Sequence, residues 1–180
     1  MRQFRTSTAL VITLCLAACA REERPAPPPP VSERGPLTRP SPGPGTSEAD
    51  FVSENGSIDL FVIRSSELAL QRSSSARILD FARTMIEDHK GTGAQLSLEG
   101  RRLNLLPSAT LRPSEQAMFD SLTASGRFDP EYVRDQRIVH QRAIALDSTY
   151  AANGGSPTLR PVAAAALPIE QRHLRLIAYL

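Results

Sequence analysis

Three histidines are the residues of this chain best suited to chemistry, and the sequence contains no others. His89, His140 and His173 each lie in a different segment with helical periodicity, at a position that faces the predicted core. Neutral imidazole is the commonest side-chain ligand of transition metals. If the three helices pack side by side, the histidines meet inside one bundle and predict a site for zinc, copper or iron.

Acidic residues near the histidines are candidates to complete such a site. Glu170 precedes His173 by three residues, and this Glu-x-x-His spacing places both side chains on one face of a helix. Asp59 is the candidate carboxylate of the first helix, and Asp88 is expected to hold a histidine as an outer acceptor. The predicted metal ligands are therefore His89, His140, His173, Glu170 and Asp59.

A purely structural interpretation of the histidines is the alternative. Buried imidazoles that are hydrogen-bonded to Asp, Gln or Tyr would fix the register of the helices without any metal. The sequence offers no nucleophile elbow and no phosphate-binding glycine loop. We therefore predict no catalytic residue, and the choice lies between a metal centre and a structural network.

From residue 46 onward, apolar residues recur with a helical period and β-branched runs are scarce, which predicts an all-α fold. The predicted helices run from Thr46 or Ser47 to the serines at 73–75, from there to about Leu105, from Arg112 to Ala124, from Asp129 as N-cap to Gly154, and from Ser156 onward with a kink or new start at Pro168. Two short turns flank one long connection. This connectivity predicts a ferritin-like four-helix bundle with one long crossover containing a short extra helix.

The N-terminus has the pattern of a bacterial lipoprotein signal. Two arginines precede a short apolar stretch at residues 9–16, and Leu16-Ala17-Ala18-Cys19 follows directly. We expect residues 1–18 to be removed and Cys19 to carry the lipid that attaches the protein to a membrane. Ala20 and Arg21, with no Asp, follow Cys19, and the resemblance to envelope lipoproteins implies an outer-membrane location facing the periplasm.

The residues between this signal and the domain predict a tether. Nine of the fifteen prolines lie between Pro25 and Pro44, so residues 19–45 favour an extended, semi-rigid spacer, and residues 46–180 form the folded domain. Arg2 and Arg5 account for the excess of basic residues, which leaves 19 basic and 19 acidic side chains from Cys19 on. A charge-balanced chain without a basic cluster is a poor ligand for nucleic acid, which we exclude as a partner.

Four ordered motifs resemble one known family. They are Phe81 to His89 ("FA..M..DH"), Phe128 to Tyr132 ("FD..Y"), the mid-helix His140, and Leu167 to His173 ("LP....H"). Together they span about residues 51–180 and resemble the domain of unknown function 4142, whose members are often described as outer-membrane proteins. The resemblance implies a ferritin-like bundle in a bacterial envelope protein, and by itself no particular activity.

The chain departs from that family in its first helix. An acidic residue usually stands seven positions before the alanine matched here by Ala69, and this chain has Val62 there. Asp59 borders the same face one turn earlier, whereas Glu67 points to nearly the opposite side. A ferritin-type di-iron centre also needs a second Glu-x-x-His pair, and Ile86 stands where its Glu would be. We therefore predict an envelope lipoprotein with a binding or sensing module, and a ferritin-type oxidase or iron-handling enzyme is the alternative.

Overall fold

The computed structural model describes residues 46–180, and these residues form five α-helices. The helices are α1 (Glu48–Arg72), α2 (Ala76–Arg101), α3 (Pro113–Ala124), α4 (Phe128–Asn153) and α5 (Leu159–Ile177). The predicted all-α class is confirmed. The predicted signal peptide, the lipid at Cys19 and the tether lie outside the described residues.

Four long helices form the bundle, and the short helix α3 lies in the crossover. Helix α1 packs against α2 and α4 against α5, while α1 also contacts α4 and α2 contacts α5. Helix α3 packs against α1 and α4. The predicted four-helix bundle with one long crossover is therefore confirmed. None of the helices in residues 46–180 is long and apolar enough to cross a membrane.

Helix α1 begins where its capping residues predict. The Oγ atom of Ser47 accepts a hydrogen bond from the backbone N–H of Asp50 at 3.1 Å, which satisfies one of the free amides of the first turn. Glu48 and Asp50 also place negative charge at the positive end of the helix dipole.

Two helix ends differ from the prediction. Helix α2 ends at Arg101 rather than near Leu105, because Asn104 has a left-handed backbone with φ 56° and Leu105 N–H donates to the carbonyl of Gly100. Helix α4 begins at Phe128, one residue before the expected N-cap Asp129, which instead lies in the first turn. In the first turn the carboxylate interacts favourably with the helix dipole, although it accepts no capping hydrogen bond from a backbone N–H of the helix.

The new start expected at Pro168 does not occur, because α5 runs through this residue as one helix. Proline removes one donor and leaves the carbonyl of Ala164 without its helical partner. Both residues are exposed, so water can bond to that carbonyl. Pro161 lies in the first turn, where the missing amide hydrogen would have had no helical acceptor.

The crossover is held to the bundle by a buried carboxylate. Glu115 of α3 is fully buried, and it accepts hydrogen bonds from Ser57 of α1 and from Arg142 of α4. Arg142 also contacts Glu54 of α1 at 3.1 Å. Because hydrogen bonds to a buried charge are among the stronger ones, this network fixes α3 across α1 and α4.

The polar centre of the bundle separates two hydrophobic clusters. One contains Phe61, Met85 and Ile177, and the other contains Phe51 and Leu96 with their neighbours. On α2 and α5, His89, Glu170 and His173 occupy buried positions between residues of these two clusters. The apolar layers above and below therefore exclude water from the centre and hold its side chains in place.

Candidate metal centre

Four side chains from three helices meet in the middle of the bundle. His89 of α2, His140 of α4, and Glu170 and His173 of α5 each offer one nitrogen or oxygen atom, and these atoms lie within 4.8 Å of one another. All four residues are at most 2 % exposed. The predicted convergence of the histidines is therefore observed.

One ring nitrogen of each histidine faces away from the centre and donates a hydrogen bond. His140 Nδ1 lies 2.6 Å from the carbonyl oxygen of Gln136, which can only accept. His89 Nδ1 lies 2.8 Å from Asp59 Oδ1, and His173 Nε2 lies 2.8 Å from Asp88 Oδ2. These acceptors fix the tautomers, so in the neutral rings the other nitrogen of each histidine carries a lone pair.

The remaining nitrogen atoms face one another. His140 Nε2 lies 3.4 Å from His89 Nε2 and 3.2 Å from His173 Nδ1. Each of these contacts could be a hydrogen bond only if one of its two nitrogen atoms carried a proton. With neutral rings and the tautomers above, none of the three atoms has one to donate. The arrangement is therefore stable only if a proton or a metal cation occupies the space between them.

Glu170 adds a carboxylate to this space, too far from the imidazoles to form hydrogen bonds with them. Its Oε1 lies 3.9 Å from His89 Nε2 and its Oε2 lies 3.7 Å from His140 Nε2, beyond hydrogen-bonding distance. Oε2 is buried and has no hydrogen-bond partner among the described residues. A buried, unpaired carboxylate oxygen that faces three imidazole nitrogens is the donor set expected of a cation site.

Burial and charge keep two of the histidines neutral. Burial, helped by the charge of His89, lowers the pKa of His140 well below its usual range. Burial also lowers the pKa of His173 to about 4, although its hydrogen bond to Asp88 opposes the shift. Metal ligation requires the unprotonated ring, so both histidines are ready to bind a cation at neutral pH.

His89 and Glu170 share the proton of the metal-free centre. Burial alone would lower the pKa of His89, but Glu170 and the hydrogen bond to Asp59 more than offset this effect, so the pKa is raised. Burial raises the pKa of Glu170 to about 7, although His89 opposes the shift. The metal-free centre therefore tends to hold a proton on one of these two groups near pH 7.

The distances between the nitrogen atoms fit a first-row transition metal. Tetrahedral ligands bound at 2.0–2.1 Å lie about 3.3–3.4 Å from one another. Two nitrogen separations, 3.4 and 3.2 Å, agree with this value, whereas the four ligand atoms together extend to 4.8 Å, so the side chains must move closer to share one ion. The residues present therefore suit one mononuclear metal ion.

Each of the two predicted aspartates contacts the ring nitrogen of a histidine that faces away from the centre. Asp59 contacts the outer nitrogen of His89 and also accepts a hydrogen bond from Thr92 at 3.0 Å, so it is not among the four converging residues. Asp88, predicted as an outer acceptor, takes this position on His173. Both carboxylates orient an imidazole and increase its basicity, as outer partners of metal ligands do.

A second polar pair lies beside the centre, and no role was predicted for it. Asn55 Nδ2 donates to Asp147 Oδ1 at 2.6 Å, and both residues are buried. Asp147 Oδ2 has no partner among the described residues, and burial raises the pKa of this carboxyl to about 8. The signal in the sequence was the position of Asp147 on the buried stripe of α4, seven residues after His140.

Comparison with known proteins gives the family and the fold. The family model of Domain of unknown function (DUF4142) matches residues 35–180, and the chain belongs to this family. The search of the curated proteins gave no match. The structure is similar to solved structures of CopM in the Cu(II)-bound form (17% identity, TM-score 0.63, 75% of this chain and 95% of that chain) and in the Cu(I)-bound form (16%, 0.62, 74% and 94%). CopM in the Ag-bound form matches at 17% identity and TM-score 0.60, over 74% of this chain and 93% of that chain.

Proposed function

We propose that this member of the family binds a single transition-metal ion, with copper as the preferred metal. The ligands are His89, His140, His173 and Glu170. The observation that carries the proposal is the convergence of three imidazole lone pairs and one unpaired carboxylate oxygen in a space closed to solvent. Such a donor set has one negative charge and suits copper, zinc and ferrous iron.

Two considerations favour copper among these metals. Divalent copper forms the most stable complexes of the first-row divalent ions with nitrogen and oxygen ligands. The similar CopM structures include forms bound to Cu(II), Cu(I) and Ag. Zinc and iron are the competitors that a binding experiment must include.

A binding module fits the centre better than an oxidase does. A ferritin-type di-iron centre needs four carboxylates and two Glu-x-x-His pairs. The converging group holds one carboxylate, and Ile86 stands three residues before His89. We therefore propose metal binding, storage or sensing as the function, with no oxidation of the metal by the protein.

The proposed location is the outer membrane, with the domain facing the periplasm and attached through a lipid at Cys19. The support for it is the sequence Leu16-Ala17-Ala18-Cys19 after a short apolar stretch. Replacing Cys19 with Ala should abolish labelling by a radioactive fatty acid and move the protein from the detergent phase to the aqueous phase. Unchanged partitioning would contradict the anchor.

Metal titration tests the binding proposal. The protein is stripped with a chelator and then titrated with Cu(II), Zn(II) or Fe(II) at pH 7.5, while bound metal and the thermal midpoint are measured. We expect one equivalent of copper and an increase of the midpoint, because only the native state holds the ligands together. An unchanged midpoint and no bound copper would leave the histidines as a structural network.

Two substitutions separate the ligands from the fold. Glu170→Gln keeps the shape of the side chain and should weaken copper binding while the helix content stays normal. His140→Ala should remove most of the binding, because this ring contacts both other histidines. Gln141→Ala changes an exposed neighbour on α4 and serves as the matched control.

A further inference from the structure

The outer partners of the three histidines differ in their access to solvent. The side chain of Asp59 is 9 % exposed, and Gln136, whose carbonyl oxygen accepts from His140, is fully buried. The side chain of Asp88 is 25 % exposed. Of the three outer partners, Asp88 is therefore the most exposed, and it contacts His173 between α2 and α5.

An arginine also contacts this carboxylate. Arg172 Nη2 donates to Asp88 Oδ2 at 2.6 Å, and the same oxygen accepts from His173 Nε2 at 2.8 Å. The side chain of Arg172 is half exposed. Ion pairs with this much exposure are weak and open readily, because water solvates both groups when they separate.

We propose that Asp88 is the residue through which the metal ion enters and leaves the centre, and that Arg172 closes this route. This inference rests on the proposed metal-binding function. The guanidinium group and an incoming cation compete for the same carboxylate, since both carry positive charge. When Arg172 swings into solvent, Asp88 is free to bind the cation.

His173 is the residue that connects this carboxylate with the centre. One of its ring nitrogens contacts Asp88 and the other contacts His140. Once Asp88 binds a cation instead of the ring N–H, the imidazole loses its outer acceptor and can turn. The exchange of metal is therefore expected to depend on Arg172 and Asp88 even though neither residue is a ligand.

A second route, between α1 and α2, is the competitor. Gly93 lies next to Asp59, and a Cβ atom at this position would stand 3.3 Å from Asp59 Oδ2. Asp59 is more deeply buried than Asp88, and its other oxygen is held by both His89 and Thr92. The observations favour the Asp88 route, and Gly93→Ala makes the alternative testable.

The test measures rates on the full chain purified in detergent. Copper(II) sulfate is mixed with metal-free protein in a stopped-flow instrument, and an excess of chelator later withdraws the metal. In Arg172→Gln, we expect loading and release to become faster by about tenfold or more, because a positive charge no longer blocks the carboxylate. Arg175→Gln makes the same charge change at an exposed position of α5 and should leave both rates unchanged.

The release rate distinguishes a closed route from a simple charge effect. Loss of a positive charge alone would speed loading and slow release, whereas opening of the route speeds both. Asp88→Asn should slow loading by about tenfold, because it removes the negative charge that attracts the cation.

Three results would overturn the inference. Wild-type rates in Arg172→Gln, with copper still bound tightly, would exclude the role of Arg172 and leave the metal centre standing. Slower exchange in Gly93→Ala together with unchanged exchange in Arg172→Gln would place the route between α1 and α2. Failure of the wild-type protein to bind copper would overturn the proposed function and this inference together.

Discussion

Asp59 lies against the outer nitrogen of His89, with its Oδ1 2.8 Å from Nδ1. Thr92 donates to the same oxygen from the next turn of α2, so the carboxylate is held by two groups of the facing helix. This contact turns His89 Nε2 toward the other histidines. The acidic residue of the first helix therefore acts on the centre through a histidine and does not reach it directly.

Replacing Asp59 with Asn should weaken copper binding by about 10- to 100-fold, because an amide increases the basicity of the imidazole less than a carboxylate does. The measurement is a competition titration against a chelator of known affinity. Asp80→Asn removes a carboxylate from an exposed position of α2 and is the control. An affinity in Asp59→Asn equal to that of the control would show that Asp59 does not tune the centre.

Copper binding near pH 7 should release about one proton per metal ion, since ligands must be unprotonated to bind. The metal-free centre holds that proton on His89, whose pKa is raised, and on Glu170, whose pKa is about 7. Affinity should therefore fall as the pH decreases below 7. Calorimetry in two buffers with different ionisation enthalpies measures the number, and identical heats in both buffers would contradict the shared proton.

Asp147 should make the metal-free protein less stable as the pH rises. Burial raises the pKa of this carboxyl to about 8, well above its value of about 3.9 in an unfolded chain. Between these two values the folded state binds a proton that the unfolded state lacks, so stability falls as the pH increases from about 4 to about 8. The Asp147→Asn variant has no such loss and keeps an oxygen for Asn55.

The thermal midpoint of Asp147→Asn relative to wild type should therefore be several degrees higher at pH 9 than at pH 5, as about 1 kcal/mol corresponds to a few degrees in a domain of this length. The amide group of the substituted side chain changes the midpoint by the same amount at both pH values. Comparing the two pH values therefore cancels this effect. If the difference between the two midpoints is the same at pH 5 and at pH 9, Asp147 is not buried as a neutral acid.

The helices and the meeting of the histidines could be predicted because the signals are local. Ser47, the serines at 73–75 and Gly154 mark helix ends at the positions where the structure has them. The 3.6-residue period places His89 and His140 on core-facing stripes, and both are fully buried. Which stripes share a core follows from the two short turns and the long crossover.

The roles of the individual atoms could not be predicted, because they depend on how far each helix is rotated and shifted along its axis. The helical period places both Asp59 and Asp88 close to the predicted histidine cluster. Only the packed structure shows that each contacts the outer nitrogen of a ring. The carbonyl of Gln136 gives no sequence signal at all. Glu115 resembles an ordinary acidic residue of a first helical turn, yet the crossover buries it completely.

Two glycines of the domain should respond in opposite ways to substitution by alanine. Gly56 of α1 lies beneath the crossover, where an added Cβ atom would stand 2.5 Å from the Cβ atom of Pro107, a ring atom that cannot rotate away. Gly91 of α2 is exposed, and no atom of residues 46–180 lies within 4 Å of such a Cβ atom. The free energy of unfolding should therefore fall by about 1–3 kcal/mol in Gly56→Ala, because the crossover is pushed from the bundle.

In Gly91→Ala the free energy of unfolding should rise by about 0.5–1 kcal/mol, because alanine restricts the unfolded chain and favours a helix. Urea unfolding monitored by circular dichroism measures both changes, and copper affinity should stay unchanged in Gly91→Ala because this residue lies on the outer face of α2. A stable Gly56→Ala would mean that the crossover is not packed against α1 at Pro107. In that case the network around Glu115 alone would hold α3 in place, and Glu115→Gln should then loosen the crossover without lowering the copper affinity.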